Sequence, residues 1–287
     1  AANIMANQYN TRVNIVTVPG IRESAITDYV GTKVKEYSKA IYIMDMASYD
    51  DDKNRLFDSS AERPSVDQTV KKFDGRGLNN NYVATYFPDV TIEDEDNSRR
   101  VRVPASIAAI GALAYNDYLR YPWFAPAGFN RSGLSFVTAT RTRLNSKDRD
   151  DLYEARINPI ATFPNSGFVI FGQKTLQNFR SALDRVNVRR MLLEVKRQIV
   201  DVALKIVFEA NTPETRAKFV AQVTPILSTI QSQEGIDKFK VIMDDSNNTA
   251  ADAEANRLNG QIILVPTRAV EFIAMDFIIT NSGVEFE

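Results

Sequence analysis

The segment 14–44 constrains the fold more than any other part of the sequence. Residues 14–18 (NIVTV) form a short apolar run halted by Pro19-Gly20, which reads as a strand and a turn. Ile26, Val30, Val34 and Tyr37 then recur at helical spacing across 24–38. Residues 40–44 (AIYIM) are continuously apolar, the pattern of a parallel strand buried on both faces. Strand, helix and strand within about thirty residues make a βαβ unit. That unit commits the chain to an α/β architecture with a parallel sheet.

The rest of the first half continues the alternation. Residues 48–64 read as a surface loop and 65–73 as a short helix ended by Gly75-Arg76-Gly77. Residues 82–92 are β-rich, with Pro88 marking a strand end or bulge. A polar turn at 93–100 joins them to a returning strand, and 105–119 is a helix of small residues. An aromatic loop (121–128), a strand (134–139) and a polar helix (148–154) follow. Asn158-Pro159 opens a new segment, so the sequence predicts two α/β domains, 1–156 and 157–287. The second starts with a strand at 168–171.

The second domain reads as helix-rich. Residues 187–209 are expected to form one long helix with two apolar stripes, Val188/Met191/Leu192/Val195/Ile199/Val202/Ala203/Ile206 and Leu193/Val200/Leu204/Val207. A helix apolar on two sides is buried on two sides. Thr212-Pro213 supplies an N-cap and an N1 proline for a helix to about 233, kinked before Pro225, with Gly235 as its C′ glycine. Strands at 239–243 and 261–265 flank a short helix at 250–257. Residues 270–279 form a long β-prone run that 282–287 resume after a polar break.

Composition removes most chemistry. There is no Cys and no His among 287 residues. Disulfides, thiolate nucleophiles, Ser-His-Asp triads and ordinary zinc sites are therefore excluded. Formal net charge is −1, with 35 basic and 36 acidic side chains, so no nucleic-acid footprint appears in the overall charge. No apolar run approaches the ~20 residues of a membrane helix, and direct membrane insertion is not expected. Ala1-Ala2-Asn3 carries no initiator Met, basic segment or apolar run, so no signal peptide is read and the chain is expected to be a processed or shortened product.

The acidic clusters 50–52 and 93–96 lack the glycine and glutamate of a calcium loop and read as solvated turns. Gly75-Arg76-Gly77 lacks the third glycine of a dinucleotide fingerprint, and there is no Walker A or G-x-S-x-G pattern. Tyr118, Tyr121, Trp123, Phe124 and Phe129 read as a core plug rather than a stacking platform for sugars or bases. Charge is unevenly placed: 174–205 hold 8 basic and 3 acidic residues, and 206–287 hold 6 basic and 12 acidic. Solvated surface explains part of this; the sharper reading is a pair of complementary faces that meet between subunits.

A set of short motifs carries a family likeness over nearly the whole chain. They are Val16-Thr17-Val18-Pro19-Gly20, Ile43-Met44-Asp45, Tyr82 to Pro88, Val103-Pro104-Ala105-Ser106 with Gly111, and Trp123 to Gly128 with Asn130-Arg131. Asn158-Pro159-Ile160, Gly167 to Leu176, Asn187-Val188-Arg189-Arg190 and Phe208-Glu209-Ala210-Asn211 complete the set. In this order they resemble the middle and C-terminal conserved regions of the contractile tail sheath proteins of myophages.

The resemblance implies a subtilisin-like fold for the middle domain, without its triad, since no His exists. It implies a structural subunit of the virion with no cofactor, assembled in the host cytoplasm. Its partners would be further copies of itself in a helical polymer, the tail tube, the baseplate and the tail terminator, with no nucleic acid. It also implies an N-terminal arm and outer insertion domains, neither of which is recognised in this sequence. The expected inter-subunit strand comprises Val270, Phe272, Ile273, Phe277 and Ile279, continued by Val284 and Phe286. The expected charged contact face sets Arg189, Arg190, Lys196 and Arg197 against Glu271 and Asp276. The alternatives are the sheath of a bacterial contractile injection system or bacteriocin and, from a different class, a carboxylate-dependent glycan hydrolase using two converging acids.

Overall fold

A computed structural model of the chain describes residues 12–94 and 96–271. Its centre is a five-stranded sheet of order β1-β2-β5-β9-β10. The strands are β1 (Ile15–Thr17), β2 (Ile41–Met44), β5 (Val83–Phe87), β9 (Ile157–Phe163) and β10 (Gly167–Ile170). The first four are parallel, and β10 closes the edge as an antiparallel hairpin with β9. The βαβ unit is present, with α1 (Ser24–Tyr37) joining β1 to β2.

Alternation along β2 divides the core into two layers. Tyr42 and Met44 join Val30, Val34 and Tyr37 of α1, Val66 and Phe73 of α2 (Val66–Asp74) and Leu152 of α4 (Ser146–Glu154). Ile41 and Ile43 point to the other face, against Ala105, Ala108, Ala109, Ala112 and Leu113 of α3 (Ala105–Leu119). The small residues of α3 let its backbone lie close to the sheet. The stripe on α1 is rotated from the expected one: Thr27 is buried and Ile26 is exposed. Between β2 and α2 lies a two-residue strand pair, β3 (Ser48–Tyr49) and β4 (Arg55–Leu56), inside the predicted loop.

Pro88 ends β5, and β6 (Val90–Asp94) starts a separate antiparallel sheet of order β7-β6-β8 with β7 (Arg99–Val103) and β8 (Val137–Thr140). The break at proline is as expected, because proline cannot donate to a ladder.

A third core lies beyond the central sheet. It joins α5 (Val186–Ala203), α6 (Pro213–Ser232) and a two-stranded antiparallel hairpin, β11 (Ile236–Ile242) with β12 (Gln261–Pro266). The helix α7 (Ala250–Glu254) sits in the hairpin connection. Thr212 caps α6 as expected, accepting from the Thr215 amide at 3.2 Å. Val186 and Leu193 of α5 belong to the sheet-side core, while Val188, Met191 and Val195 face α6. The long helix is thus buried on two sides. Among the described residues, no helix is long and apolar enough to cross a membrane.

Four expectations need correction. A division at 156/157 would cut the central sheet, because β9 and β10 are its fourth and fifth strands. The long helix stops at Ala203 rather than 209, and Leu204, Val207 and Phe208 are exposed beyond it. Gly235 is not in the left-handed conformation; Glu234 is, with φ 64°. A glycine is needed at 235 for space instead, since a Cβ there would lie 2.7 Å from Ile230 and 3.0 Å from Trp123. Finally, Val270 and Glu271, the described start of the expected C-terminal strand, are not in a strand, and the rest of that run lies outside the described residues.

Candidate assembly surfaces

Carboxyl ends of parallel strands are where α/β folds usually hold ligands. Here that position is filled by hydrogen bonds around Asp45, whose partners come from the short motifs, and by ion pairs around Asp89. The Gly20 amide donates to Asp45 at 2.9 Å, and the Ser106 amide and hydroxyl donate to the same carboxylate at 3.0 and 2.7 Å. Asp89, just past β5, accepts from Arg22 at 3.0 and 3.1 Å and lies 3.6 Å from Arg141. Burial pushes the Asp89 carboxyl above the usual carboxylate range, although both arginines pull it down. Arg102 and Arg141 donate onward to the backbone carbonyls of Phe57, Asp58 and Ser60. The acids converge, but each is held by protein donors inside the fold.

The aromatic loop is a joint between layers. Trp123 is buried in the third core, its Nε1 donates to the Gln233 carbonyl at 2.9 Å, and Tyr121 stacks on it at 4.8 Å. The expected plug holds for Trp123, while Tyr118 and Phe129 are exposed. Phe129, Phe163 and Phe171 instead form a surface cluster with centroids 5.0–5.8 Å apart.

The expected basic face is largely internal. Arg189 and Arg190 are only 3% and 4% exposed. Arg189 donates to the Asn81 carbonyl at 3.2 Å and lies 4.0 Å over the Tyr82 ring; Arg190 pairs with Asp117. Both sit in the first turns of α5, where it lies between the sheet and the third core. Their apolar stems pack there while the guanidinium groups reach polar partners. Lys196 is exposed and donates to the Ser38 hydroxyl at 2.5 Å, and Arg197 pairs with Glu194 on its own helix at 2.7 Å.

Glu271 is also bound within the chain. It accepts from Arg185 Nε at 2.7 Å and a terminal nitrogen of the same guanidinium at 2.9 Å, from Gln173 at 3.1 Å, and from the Tyr153 hydroxyl. The Arg185 and Tyr153 bonds hold its carboxyl below the usual glutamate range, although burial alone would raise it. Val270 is 79% exposed beside it. Asp276, Phe272, Ile273, Phe277, Ile279, Val284 and Phe286 lie outside the described residues.

Sequence reasoning missed the hairpin as a surface. Among the described residues, neither outer edge of β11–β12 pairs with another strand. Its inner face carries Phe239, Val241, Ile262 and Leu264 against the third core, while Ile263 and Val265 are each 46% exposed on the outer face. Lys238 and Lys240 stand opposite Val265 and Ile263 in the ladder. A groove of about 310 Å³ runs between β12 and α5, lined by Leu192, Ile199, Val200, Ile262 and Leu264 among others. The available signal was the alternating 261–266 run, whose one candidate β neighbour downstream, 270–279, is the run already expected to pair with another subunit.

The fold is that of contractile sheath subunits. It superposes on the sheath complex of an extracellular contractile injection system (PVC) in the contracted state with TM-score 0.76 at 19% identity, covering 96% of this chain and 74% of that one. It superposes on the contracted helical sheath of the anti-feeding prophage with TM-score 0.71 at 19% identity, covering 93% and 70%. The phage tail sheath protein central domain matches residues 1–176, and the phage tail sheath C-terminal domain matches residues 180–280. The chain belongs to the phage tail sheath protein family. It is 35% identical over 193 residues to the tail sheath protein of Vibrio phage KVP40 and 31% identical over 192 residues to that of Enterobacteria phage T4. In each comparison 67% of this chain aligns with 29% of the relative, so the matched region spans under a third of those proteins.

Proposed function

We propose that this chain is the body of a contractile tail sheath subunit, which polymerises around a tail tube and shortens to drive it through the host envelope. The observation that carries the reading is the β11–β12 hairpin. A two-stranded sheet with both edges open is a template for another chain's strand. The occupant proposed for it is the C-terminal segment of a neighbouring copy, added by β-augmentation. That segment is β-prone and apolar almost throughout 270–279, and no Lys or Arg follows Arg268. Its Asp276, Glu285 and Glu287 complement Lys238 and Lys240 on the outer face. Leu192 and Ile199 in the adjacent groove offer apolar contact.

In this reading the chain works as two units, the central sheet with its helices and the α5–α6–hairpin unit, with the sheet layer corresponding to the family's subtilisin-like domain. The pairs around Asp45 and Asp89 are structural, and no enzymatic role is assigned. Contraction needs a body that stays rigid while its joints re-pair, and the buried arginine pairs suit that. The tail tube, the baseplate and the tail terminator are proposed as further partners, with assembly in the host cytoplasm before incorporation into the virion.

The test is sedimentation and negative-stain microscopy of the full-length gene product with and without residues 281–287. Removal is expected to leave the fold intact and to prevent long regular tubes. Normal tubes after removal would refute the strand-exchange reading.

A further inference from the structure

After β12 the chain does not simply leave the hairpin. The Thr267 amide still bonds to the Gly235 carbonyl at 3.3 Å, and four residues later Glu271 lies on the central layer. Its three partners come from three separate segments: Tyr153 from α4, Gln173 from the stretch after β10, and Arg185 from the N-cap of α5. That stretch is itself locked. The fully buried Asn158 side chain accepts from the Lys174 amide at 2.6 Å and donates to the carbonyls of Thr85 and Lys174 at 3.0 and 2.8 Å. At Gly172 a Cβ would lie 2.9 Å from Pro159, so the stretch can hug β9 only with glycine there. The two motif stretches 158–160 and 167–176 thus build a fixed seat, and Glu271 occupies it.

The Glu271 side chain is partly covered, 20% exposed, although the residue as a whole lies at the surface. A two-pronged arginine–carboxylate pair with two further donors is a strong, directional anchor, and it sits at the rim of a cavity of about 260 Å³ lined in part by Ala125, Ala127, Gly128 and Phe171. An acidic residue placed only for surface charge would not gather donors from three segments. We propose that Glu271 is a clasp that ties the root of the C-terminal segment to the rim of the central sheet, so that the segment departs from the sheet layer rather than from the hairpin. This rests on the sheath reading above. Its consequence is mechanical: when subunits reorient, the joint formed by residues beyond 271 turns with the rigid sheet instead of swinging on a loop. Glu271 is then a positioning residue for assembly, not a contact to the neighbouring subunit.

The test uses the full-length protein with Glu271→Ala, Glu271→Gln and Glu271→Asp. Three properties are read: hydrogen exchange of the Thr267 amide, which bonds to the Gly235 carbonyl, in the unassembled subunit, the global unfolding midpoint, and the amount of tube at fixed concentration. A clasp predicts exchange faster by about tenfold or more in the Ala variant, the scale of losing charged hydrogen bonds. It also predicts an unchanged midpoint, several-fold less tube, and partial recovery with Asp, which keeps the carboxylate. Unchanged exchange would overturn the clasp, and so would faster exchange with undiminished assembly. Failure of the wild-type protein to form tubes would refute the sheath reading instead, and the exchange readout would still decide whether Glu271 holds the segment.

Discussion

Adjacent leucines on α5 separate the two jobs of that helix. Leu193 is 3% exposed in the sheet-side core, whereas Leu192 is half-buried in the groove beside β12. Truncating Leu193 to Ala removes buried methyls and leaves a cavity between α5 and the sheet, at a cost of about 2–5 kcal/mol. Truncating Leu192 removes methyls that are already half in solvent. Full burial of a Leu contributes about 1.5–3 kcal/mol, so half of that gives about 1 kcal/mol. The sequence pattern placed Leu192 and Ile199 in the same apolar stripe as Met191 and Val195; the structure leaves Leu192 and Ile199 partly buried, while Leu193, Met191 and Val195 are core. Urea unfolding followed by far-UV circular dichroism would measure both variants. Tube formation should show the reverse order, with Leu192→Ala impairing assembly at little cost to the fold. Equal stability losses, or a larger loss at Leu192, would refute the assigned orientation of α5 and with it the groove.

Asp89→Asn should destabilise the protein by about 3–5 kcal/mol, because it leaves Arg22 and Arg141 buried beside a neutral group; thermal denaturation checks this. Gly235→Ala forces its Cβ against Ile230 and Trp123 and should cost about 1–3 kcal/mol in the same assay. Glu234→Gly should stabilise by about 1 kcal/mol by relieving a left-handed residue. For Glu271, whose folded carboxyl titrates below the ordinary glutamate range, the clasp contribution is fully present above that range and is lost as pH falls through the folded pKa. Protection of the Thr267 amide, taken relative to its intrinsic exchange rate at each pH, should fall over that acid range before the Asn158 seat opens.

Much of the architecture was legible because periodicity is local. The βαβ unit, α3 over its whole length, the break at Pro88 and the Thr212 cap all follow from residues near one another in sequence. What was not legible depends on distant neighbours. Arg189 and Arg190 look like surface charge, and only the docking of α5 between two cores shows why their guanidinium groups reach Asn81 and Asp117. The apolar run Leu204–Val207–Phe208 continues the stripe on paper, yet it extends past the end of the packing surface. Gly235 was found for a local reason, a helix cap, while its actual constraint is space beside Ile230 and beside Trp123, the latter more than a hundred residues earlier. Glu271 meets Tyr153, Gln173 and Arg185 across separations no spacing rule reaches; its one sequence signal was an isolated acid within a β-prone apolar run.

The central claim is that the hairpin edge is completed by a neighbouring copy. A cryo-EM map of tubes formed by the full-length protein tests it most directly. The account predicts an added strand along the outer edge of each β12, traceable to the C-terminal segment of an adjacent subunit and flanked by Leu192 and Ile199. Well-resolved tubes in which both edges of the β11–β12 hairpin remain bare would contradict it.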